Sequence, residues 1–368
     1  MSSAIFRIMG KIPQTGVRCT QNVFPIPHAR QSLVLGSGNF GSCLADHLAD
    51  SEHEHPHYLK EHVFPDTIKA VGPELPDAEV IRSVDVLLFA IPTEGLRDLL
   101  TMMRLRWDVQ NLPLVIFVNK GIESGTRALS LEIIVDTCGQ EVAKASTFIS
   151  GPSFAKEIIK RQPTQVSVVS LSLQHAQRAA AVFHQPWFRC YTGTDPIGVE
   201  LAGALKNVYA IAAGAAAGLG FGDNTRAGLI TRSLAEMTRL GARMGLPRVG
   251  DLFLTCSSPT SRNYTVGFRL GKGETLEAII STLGSVAEGV TTTKGLHEIV
   301  KDLGVYAPIA EAVYEVLYKG VSAADMSRQL MAEPAADSEV DLPERAGGPV
   351  EELLRKLGIS PGPEKAAH

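Results

Sequence analysis

The stretch Ser32-Leu33-Val34-Leu35-Gly36-Ser37-Gly38-Asn39-Phe40-Gly41 decides the fold. Gln31 to Leu35 reads as a short apolar strand. Asn39 to Ala49 reads as a helix with Phe40, Cys43, Leu44 and Leu48 on one face. Between them stand glycines 36, 38 and 41. The first permits a tight turn, the second lets backbone approach a pyrophosphate, and the third lets the helix pack close to the strand. The helix N-terminus then favours negative phosphate. In a chain with 34 glycines such a pattern arises easily by chance, and its place between strand and helix is what gives it weight.

Working outward, Val84 to Ile91 is a near-continuous apolar run closed by Pro92, as for a strand buried on both faces. Leu114 to Val118, Thr147 to Ser150 and Gln165 to Val169 read as further strands. Glu94 to Met103 and Leu129 to Thr137 read as helices between them. This alternation predicts an α/β fold with a Rossmann-type doubly wound parallel sheet over 31–193. After Thr194 the strand signals stop. Asp195 to Gly218, Thr225 to Met244, Thr275 to Leu283, Thr292 to Leu303 and Ile309 to Leu317 predict an all-helical domain over 194–333. From Pro334 the chain is rich in Pro, Gly, Glu and Ala. That composition predicts a largely disordered tail over 334–368, with at most a short helix from Val350 to Leu357.

The 368 residues are 45% hydrophobic and 20% charged, with a net charge of -4 and a pI near 6.2. Neither value supports nucleic-acid binding, which usually shows a basic face. Cys19, Cys43, Cys138, Cys190 and Cys256 are scattered and odd in number, which argues against a disulfide framework or zinc site and for a reducing, cytoplasmic compartment. No segment reads as a membrane span. Residues 1–30 form an N-terminal extension with Arg7, Lys11, Arg18 and Arg30 and no acid before Asp46. A disordered cytosolic extension is the commoner reading of such a segment, and an organelle-targeting one is the alternative.

A second informative stretch is Glu200-Leu201-Ala202-Gly203-Ala204-Leu205-Lys206-Asn207-Val208. It sets a lysine and an asparagine in a long Ala/Gly-rich apolar run that continues to Phe221. A buried ammonium is costly unless it is paired or used. A lysine whose surroundings lower its pKa can give and take a proton near neutral pH. With a dinucleotide fingerprint upstream, this suggests hydride transfer to or from a carbonyl, with Lys206 handling the proton.

Other motifs are locally ambiguous. Asn119-Lys120-Gly121 follows a strand, where open parallel sheets bind ligands. Lys120 could hold an anion or a carbonyl oxygen there, and a solvated loop lysine is an equal alternative. Gly250 to Asn263 packs Asp251, Thr255, Arg262 and Asn263 into a turn-rich segment. Arginine beside asparagine suits a phosphate, although an N-cap and a surface ion pair are commoner. His47, His53, His55, His57 and His62 cluster in sequence without the partners of a defined metal geometry, so no metal is expected. No G-x-S-x-G elbow of a hydrolase is present.

Taken together, several segments resemble NAD-dependent glycerol-3-phosphate dehydrogenases, from about Gln31 to Lys319. They are Gly36 to Gly41, Phe89-Ala90-Ile91-Pro92, Asn119 to Glu123, Gly151-Pro152-Ser153-Phe154-Ala155, Leu205 to Val208, Gly222 to Arg226, Gly250 to Leu252, Ser261 to Asn263 and Val286 to Gly289. The resemblance implies interconversion of dihydroxyacetone phosphate plus NADH with sn-glycerol 3-phosphate plus NAD. It implies Lys206 as the general acid and Lys120 as its polarising partner. Asn207, Asp251 and Thr255 would position substrate, and Arg262 and Asn263 would clamp its phosphate. Gly36, Ser37, Gly38, Asn39, Phe40, Gly41, Phe89, Ala155, Arg262 and Glu288 would line the NAD site. A homodimer is the assembly the resemblance suggests.

The chain departs from that family in two places. After Ala49, where a Rossmann unit needs a second strand, Ser51 to Tyr58 is polar and contains Pro56. The second strand therefore reads as missing, which would leave its neighbours unpaired. The link Met244 to Gly250 is also shortened, which bears on the placement of Asp251 and Thr255. Both gaps are clean, as omitted coding segments would leave. An impaired paralogue or splice form is the alternative to an active enzyme.

Overall fold

The structure, a computed structural model, describes residues 5–9, 31–35, 68–72, 75–244, 261–283 and 287–332. The glycine-rich stretch after Leu35, the histidine cluster, Asp251, Thr255 and the tail lie outside the described residues.

Eight strands form one sheet: β1 (Ile5–Met9), β2 (Gln31–Leu35), β3 (Ile68–Gly72), β4 (Val86–Phe89), β5 (Leu114–Phe117), β6 (Thr147–Ser150), β7 (Thr164–Ser170) and β8 (Phe188–Gly193). Their spatial order is β3-β1-β2-β4-β5-β6-β7-β8. Strands β2, β4, β5 and β6 run parallel, as the alternation of strand and helix predicts. The sheet departs from this parallel order at β1 and β7. β7 is antiparallel to β6, and β1 is antiparallel to both β2 and β3. Strands β1, β3 and β8 are short or lack a continuous apolar run, so their patterns do not announce them.

Strand β1 answers the missing second strand. A Rossmann sheet carries that strand beside its first, on the side away from the fourth. Here the place is held by Ile5–Met9 from the N-terminal extension, which pairs Arg7 with Leu33 on one side and Lys69 on the other. The backbone groups of β2 are thereby satisfied by a strand running the opposite way. The extension is thus not wholly irregular.

Helices cover the sheet. In chain order they are α1 (Ala78–Ser83), α2 (Leu96–Met103), α3 (Ser130–Cys138), α4 (Gln140–Ala145), α5 (Ala155–Ile159) and α6 (Leu173–Phe183). Val34, Leu88, Ile116 and Val168 fill one core with α6, while Leu33, Leu87, Phe89, Val115 and Phe117 fill another with α2 and α3. Burial on both faces accounts for the unbroken apolar runs of β4 and β5.

Beyond Gly193 the described chain is helical: α7 (Pro196–Gly218), α8 (Asp223–Arg243), α9 (Arg262–Gly271), α10 (Leu276–Leu283), α11 (Glu288–Leu303), α12 (Pro308–Tyr318) and α13 (Ala323–Ala332). Asp195 caps α7 by accepting from Gly198 N at 2.9 Å, and Pro196 suits its first turn. Among the described residues no helix is long and apolar enough to cross a membrane.

Helices α7 and α9 meet backbone to backbone. A Cβ on Gly214 would stand 2.0 Å from the Tyr264 carbonyl oxygen, and one on Gly267 would stand 1.9 Å from that of Ile211. Gly218 and Gly271 make the same approach one turn further on. These are two glycine pairs at i, i+4, each on one helix face. The crossing carries Arg262 and Asn263, at the start of α9, to the middle of α7.

Two predictions follow from these contacts. Arg7→Pro removes one ladder donor from an interior strand and is expected to cost about 1–3 kcal/mol in chemical denaturation. An unchanged midpoint would show that β1 does not complete the sheet. Gly267→Ala is expected to cost about 3 kcal/mol through overpacking. Gly228→Ala, where an added Cβ meets nothing within 4 Å, should be neutral or slightly stabilising.

Candidate active site

The site assembles at the carboxyl ends of the parallel strands, where open α/β sheets bind ligands. The chain leaves β5 into Asn119-Lys120-Gly121. Asn119 Nδ2 donates to the Ile91 carbonyl at 2.6 Å, tying this loop to the one after β4. Lys120 Nζ lies 3.4 Å from both the Gly151 carbonyl and Ser153 Oγ, just past β6. Ser153 Oγ donates to the Gly151 carbonyl at 2.9 Å. Lys120 is thus a braced, half-buried lysine rather than a solvated one.

Helix α7 brings the second lysine. Lys206 is only 3% exposed, as the apolar run around it requires. Its neighbour Asn207 is also buried and donates through Nδ2 to the Lys120 carbonyl at 3.0 Å. One turn earlier, a Cβ on Gly203 would lie 3.7 Å from Lys120 Cγ, so this stretch of α7 faces the Lys120 loop.

Helices α9 and α11 close the site. Ser261 caps α9 by accepting from Tyr264 N. Arg262 is exposed on its first turn and Asn263 is buried. Asn263 Oδ1 accepts from Gly289 N at 2.9 Å, which joins the two helix starts. Glu288 Oε1 accepts from Thr93 N at 3.2 Å, linking α11 to the turn after β4. Burial pushes the Glu288 carboxyl above the usual carboxylate range, and the Thr93 amide, the cations of Arg262 and Lys120 and the Thr93 hydroxyl oppose this. Beside it a cleft of about 250 Å³ is lined by Pro92, Thr93, Glu94, Gly121, Ile122, Glu288 and Thr291.

Of the expected site residues, Asn207 meets the Lys120 loop, Asn263 joins the start of α11, the cations of Arg262 and Lys120 lie near the Glu288 carboxylate, and Lys206 is buried in α7 next to Asn207. Ala155 opens α5 close after Ser153, half-buried. Phe89, expected to line the NAD site, is the last residue of β4. It is fully buried and stacks on Phe117 with centroids 4.5 Å apart and on Trp107 at 6.2 Å. Its position at the end of an all-buried strand aims it into the core. Gly151 and Ser153 received no role in the sequence reading, although a small-residue turn directly after a parallel strand is the signal for one.

Residues 50–176 match the family described as NAD-dependent glycerol-3-phosphate dehydrogenase N-terminus, and residues 195–328 match the corresponding C-terminus. The chain belongs to the NAD-dependent glycerol-3-phosphate dehydrogenase family. It is 38% identical over 326 residues to glycerol-3-phosphate dehydrogenase [NAD(P)+] 1 of Lactobacillus delbrueckii subsp. bulgaricus, covering 80% of this chain and 96% of the relative. The similarly named Geobacillus kaustophilus protein is 38% identical over 340 residues, covering 84% and 96%. The crystal structure of glycerol-3-phosphate dehydrogenase from Coxiella burnetii superposes with a TM-score of 0.73 at 30% identity, covering 81% and 97%. A Plasmodium falciparum glycerol-3-phosphate dehydrogenase shares the fold, with a TM-score of 0.71 at 19% identity.

The dehydrogenase's residues fit an NAD group here. Asn119 Oδ1, just past the end of β5 in the loop that leads to Gly121 of the cleft wall, is a buried polar atom without a hydrogen-bond partner. Buried polar groups are usually satisfied, so an unsatisfied one beside a cleft suits a ligand with polar groups of its own.

Two buried carboxyls hold the helices that carry the site. Glu200, on α7, accepts from Leu131 N at 3.3 Å, and burial pushes it up to about 8. Glu236, on α8, accepts from Tyr209 Oη and from the Ile309 and Ala310 amides at the start of α12, and burial pushes it up to about 7. Both folded values lie above the unfolded value of 4.5, so the folded chain holds more protons in between. The contribution of these two groups to stability is therefore full below about pH 4.5 and is lost as pH rises toward their folded values, at up to about 1.4 kcal/mol per pH unit for each group. Denaturation from pH 5 to 8 should show this fall, and Glu200→Gln should flatten it. An equal slope in the variant would remove Glu200 as a source.

Proposed function

We propose that this cleft carries the interconversion of dihydroxyacetone phosphate plus NADH with sn-glycerol 3-phosphate plus NAD, with Lys206 as the proton-transfer group. The observation that carries the assignment is the burial of Lys206 in α7 beside Asn207, which grips the Lys120 loop. A buried lysine on the helix face packed against the Lys120 loop supports a proton-transfer role. When bound, NADH supplies the hydride.

The chain's own residues do the rest. Lys206 Nζ gives a proton to the substrate's carbonyl oxygen in reduction and takes it back in oxidation. Lys120 Nζ, held by Gly151 and Ser153, polarises the same oxygen by its charge. Arg262 offers a planar fork of donors to the phosphate and Asn263 supports it from the joint between α9 and α11. Asn207, with Asp251 and Thr255 from outside the described residues, positions the substrate. Gly36 to Gly41, also outside them, would hold the NAD pyrophosphate, and Ala155, Arg262 and Glu288 would hold its remaining parts. Binding the unreacting phosphate helps to orient the carbonyl. The scattered cysteines support a cytoplasmic enzyme, and the family resemblance supports a homodimer.

Lys206→Ala is expected to lower kcat by at least about 10²-fold while NADH still binds. Arg262→Ala is expected to raise KM for dihydroxyacetone phosphate by about tenfold or more, with a smaller change in kcat. Steady-state NADH oxidation checks both. Near-normal turnover in the first variant removes Lys206 as the acid, and an unchanged KM in the second removes the clamp.

A further inference from the structure

Three residues past Lys120 stands a buried charge that the proposed chemistry does not use. Glu123 is 6% exposed. Arg97, on the first turn of α2, meets it as a fork. Its Nε donates to both carboxylate oxygens at 2.9 and 3.0 Å, and its Nη2 donates to Oε2 at 2.8 Å. The Thr126 hydroxyl donates to Oε2 as well. Burial raises the Glu123 carboxyl, but the Arg97 fork and the Thr126 hydroxyl outweigh it and hold the group below the usual carboxylate range. Arg97 Nη2 also donates to the exposed Asp136 at 3.1 Å.

The pair closes a tight loop. Glu123 N donates to the Ala128 carbonyl and Arg127 N to the Glu123 carbonyl, both at 3.0 Å. Within the loop Gly125 and Arg127 take φ of 85° and 63°. A residue other than glycine holds such an angle at a cost, and keeps it where its surroundings over-determine it. Ser124 is tied too, donating from its amide and its hydroxyl to Glu94 Oε1 at 3.0 and 2.7 Å. The turn and helix after β4, which carry Glu94 and Arg97, thus grip the chain just downstream of Lys120. The residues in between leave little slack. A Cβ on Gly121 would stand 2.9 Å from Thr93 Oγ1, and Ile122 is buried against Gly295 of α11. In packing this close, a shift of Glu123 is passed along to Lys120.

We propose that the Arg97–Glu123 pair is a positioning device for Lys120, setting the reach of its ammonium toward the reacting carbonyl oxygen. It acts through the loop rather than by contact with the substrate. Parallel donors in a planar fork fix the carboxylate in direction as well as distance, which the point charge of a lysine does not. The inference rests on the role given to Lys120 above and adds the residues that aim it.

The test uses Glu123→Gln, which keeps the volume and removes the charge, and Arg97→Lys, which keeps the charge and removes the fork. Each is made in the wild-type chain and in Lys120→Ala. Reduction of dihydroxyacetone phosphate is followed as kcat/KM and, for slow variants, as single-turnover NADH oxidation with enzyme in excess. NADH affinity without substrate is read by fluorescence titration, and folding by chemical denaturation. Each substitution in the wild-type chain should lower kcat/KM about tenfold, as a small misplacement of a reacting group does, with NADH affinity within about twofold of wild type. In Lys120→Ala the same substitutions should change the rate by less than about twofold, because the side chain they aim is gone. Unchanged kcat/KM in both variants overturns the proposal. An equal loss with and without the Lys120 side chain assigns the pair to the fold and also overturns it. Loss of cooperative unfolding in both variants does the same. A wild-type chain without turnover, or a Lys120→Ala chain as active as wild type, overturns the functional reading, and the proposal with it.

Discussion

The site depends on how closely α7 and α9 can approach. Gly214 and Gly218 on one helix and Gly267 and Gly271 on the other leave room for carbonyl oxygens where side chains would otherwise stand. Backbones in contact over a whole turn allow little sliding, because every displacement meets close-packed atoms. The start of α9 is therefore held against the middle of α7. Arg262 and Lys206, 56 positions apart in the chain, thus lie on two helices locked together by this crossing.

Around this crossing the polar groups act as ties between elements rather than as isolated contacts. Asn207 holds the Lys120 carbonyl, Asn119 holds the Ile91 carbonyl, Asn263 holds the Gly289 amide and Glu288 holds the Thr93 amide. Each bond joins segments far apart in sequence, and each is buried or half-buried, where a lost partner is costly. The lysines are thus placed by neighbours whose own positions are fixed, the arrangement that preorganised catalysis requires.

The sheet shows a different solution to a local deficit. The chain lacks the apolar segment that would form the second Rossmann strand, yet β2 is paired on both sides. Strand pairing is satisfied by main-chain groups and needs only a segment of suitable length within reach. The N-terminal extension provides one, antiparallel, and β3 then runs parallel to β2 at the sheet edge. Nothing in the side-chain pattern of Ile5 to Met9 marks it for that place, because in so short a strand the partner decides the pairing.

The sequence by itself determined what depends on local pattern. The apolar runs of β4, β5 and β6, the helical periods after Thr194 and the lysine set in an Ala/Gly helix were all legible, because burial imposes periodicity on the residues that undergo it. The family resemblance was legible for a different reason, since its motifs are short runs of specific residues in a fixed order along the chain. Only the tertiary structure decided direction and proximity. The reversed strands β1 and β7, the aim of Phe89 into the core and the bracing of Lys120 by Ser153 all turn on which distant residue stands opposite. Pattern records that a residue is buried, whereas the partner it meets there follows from the packing of the whole chain.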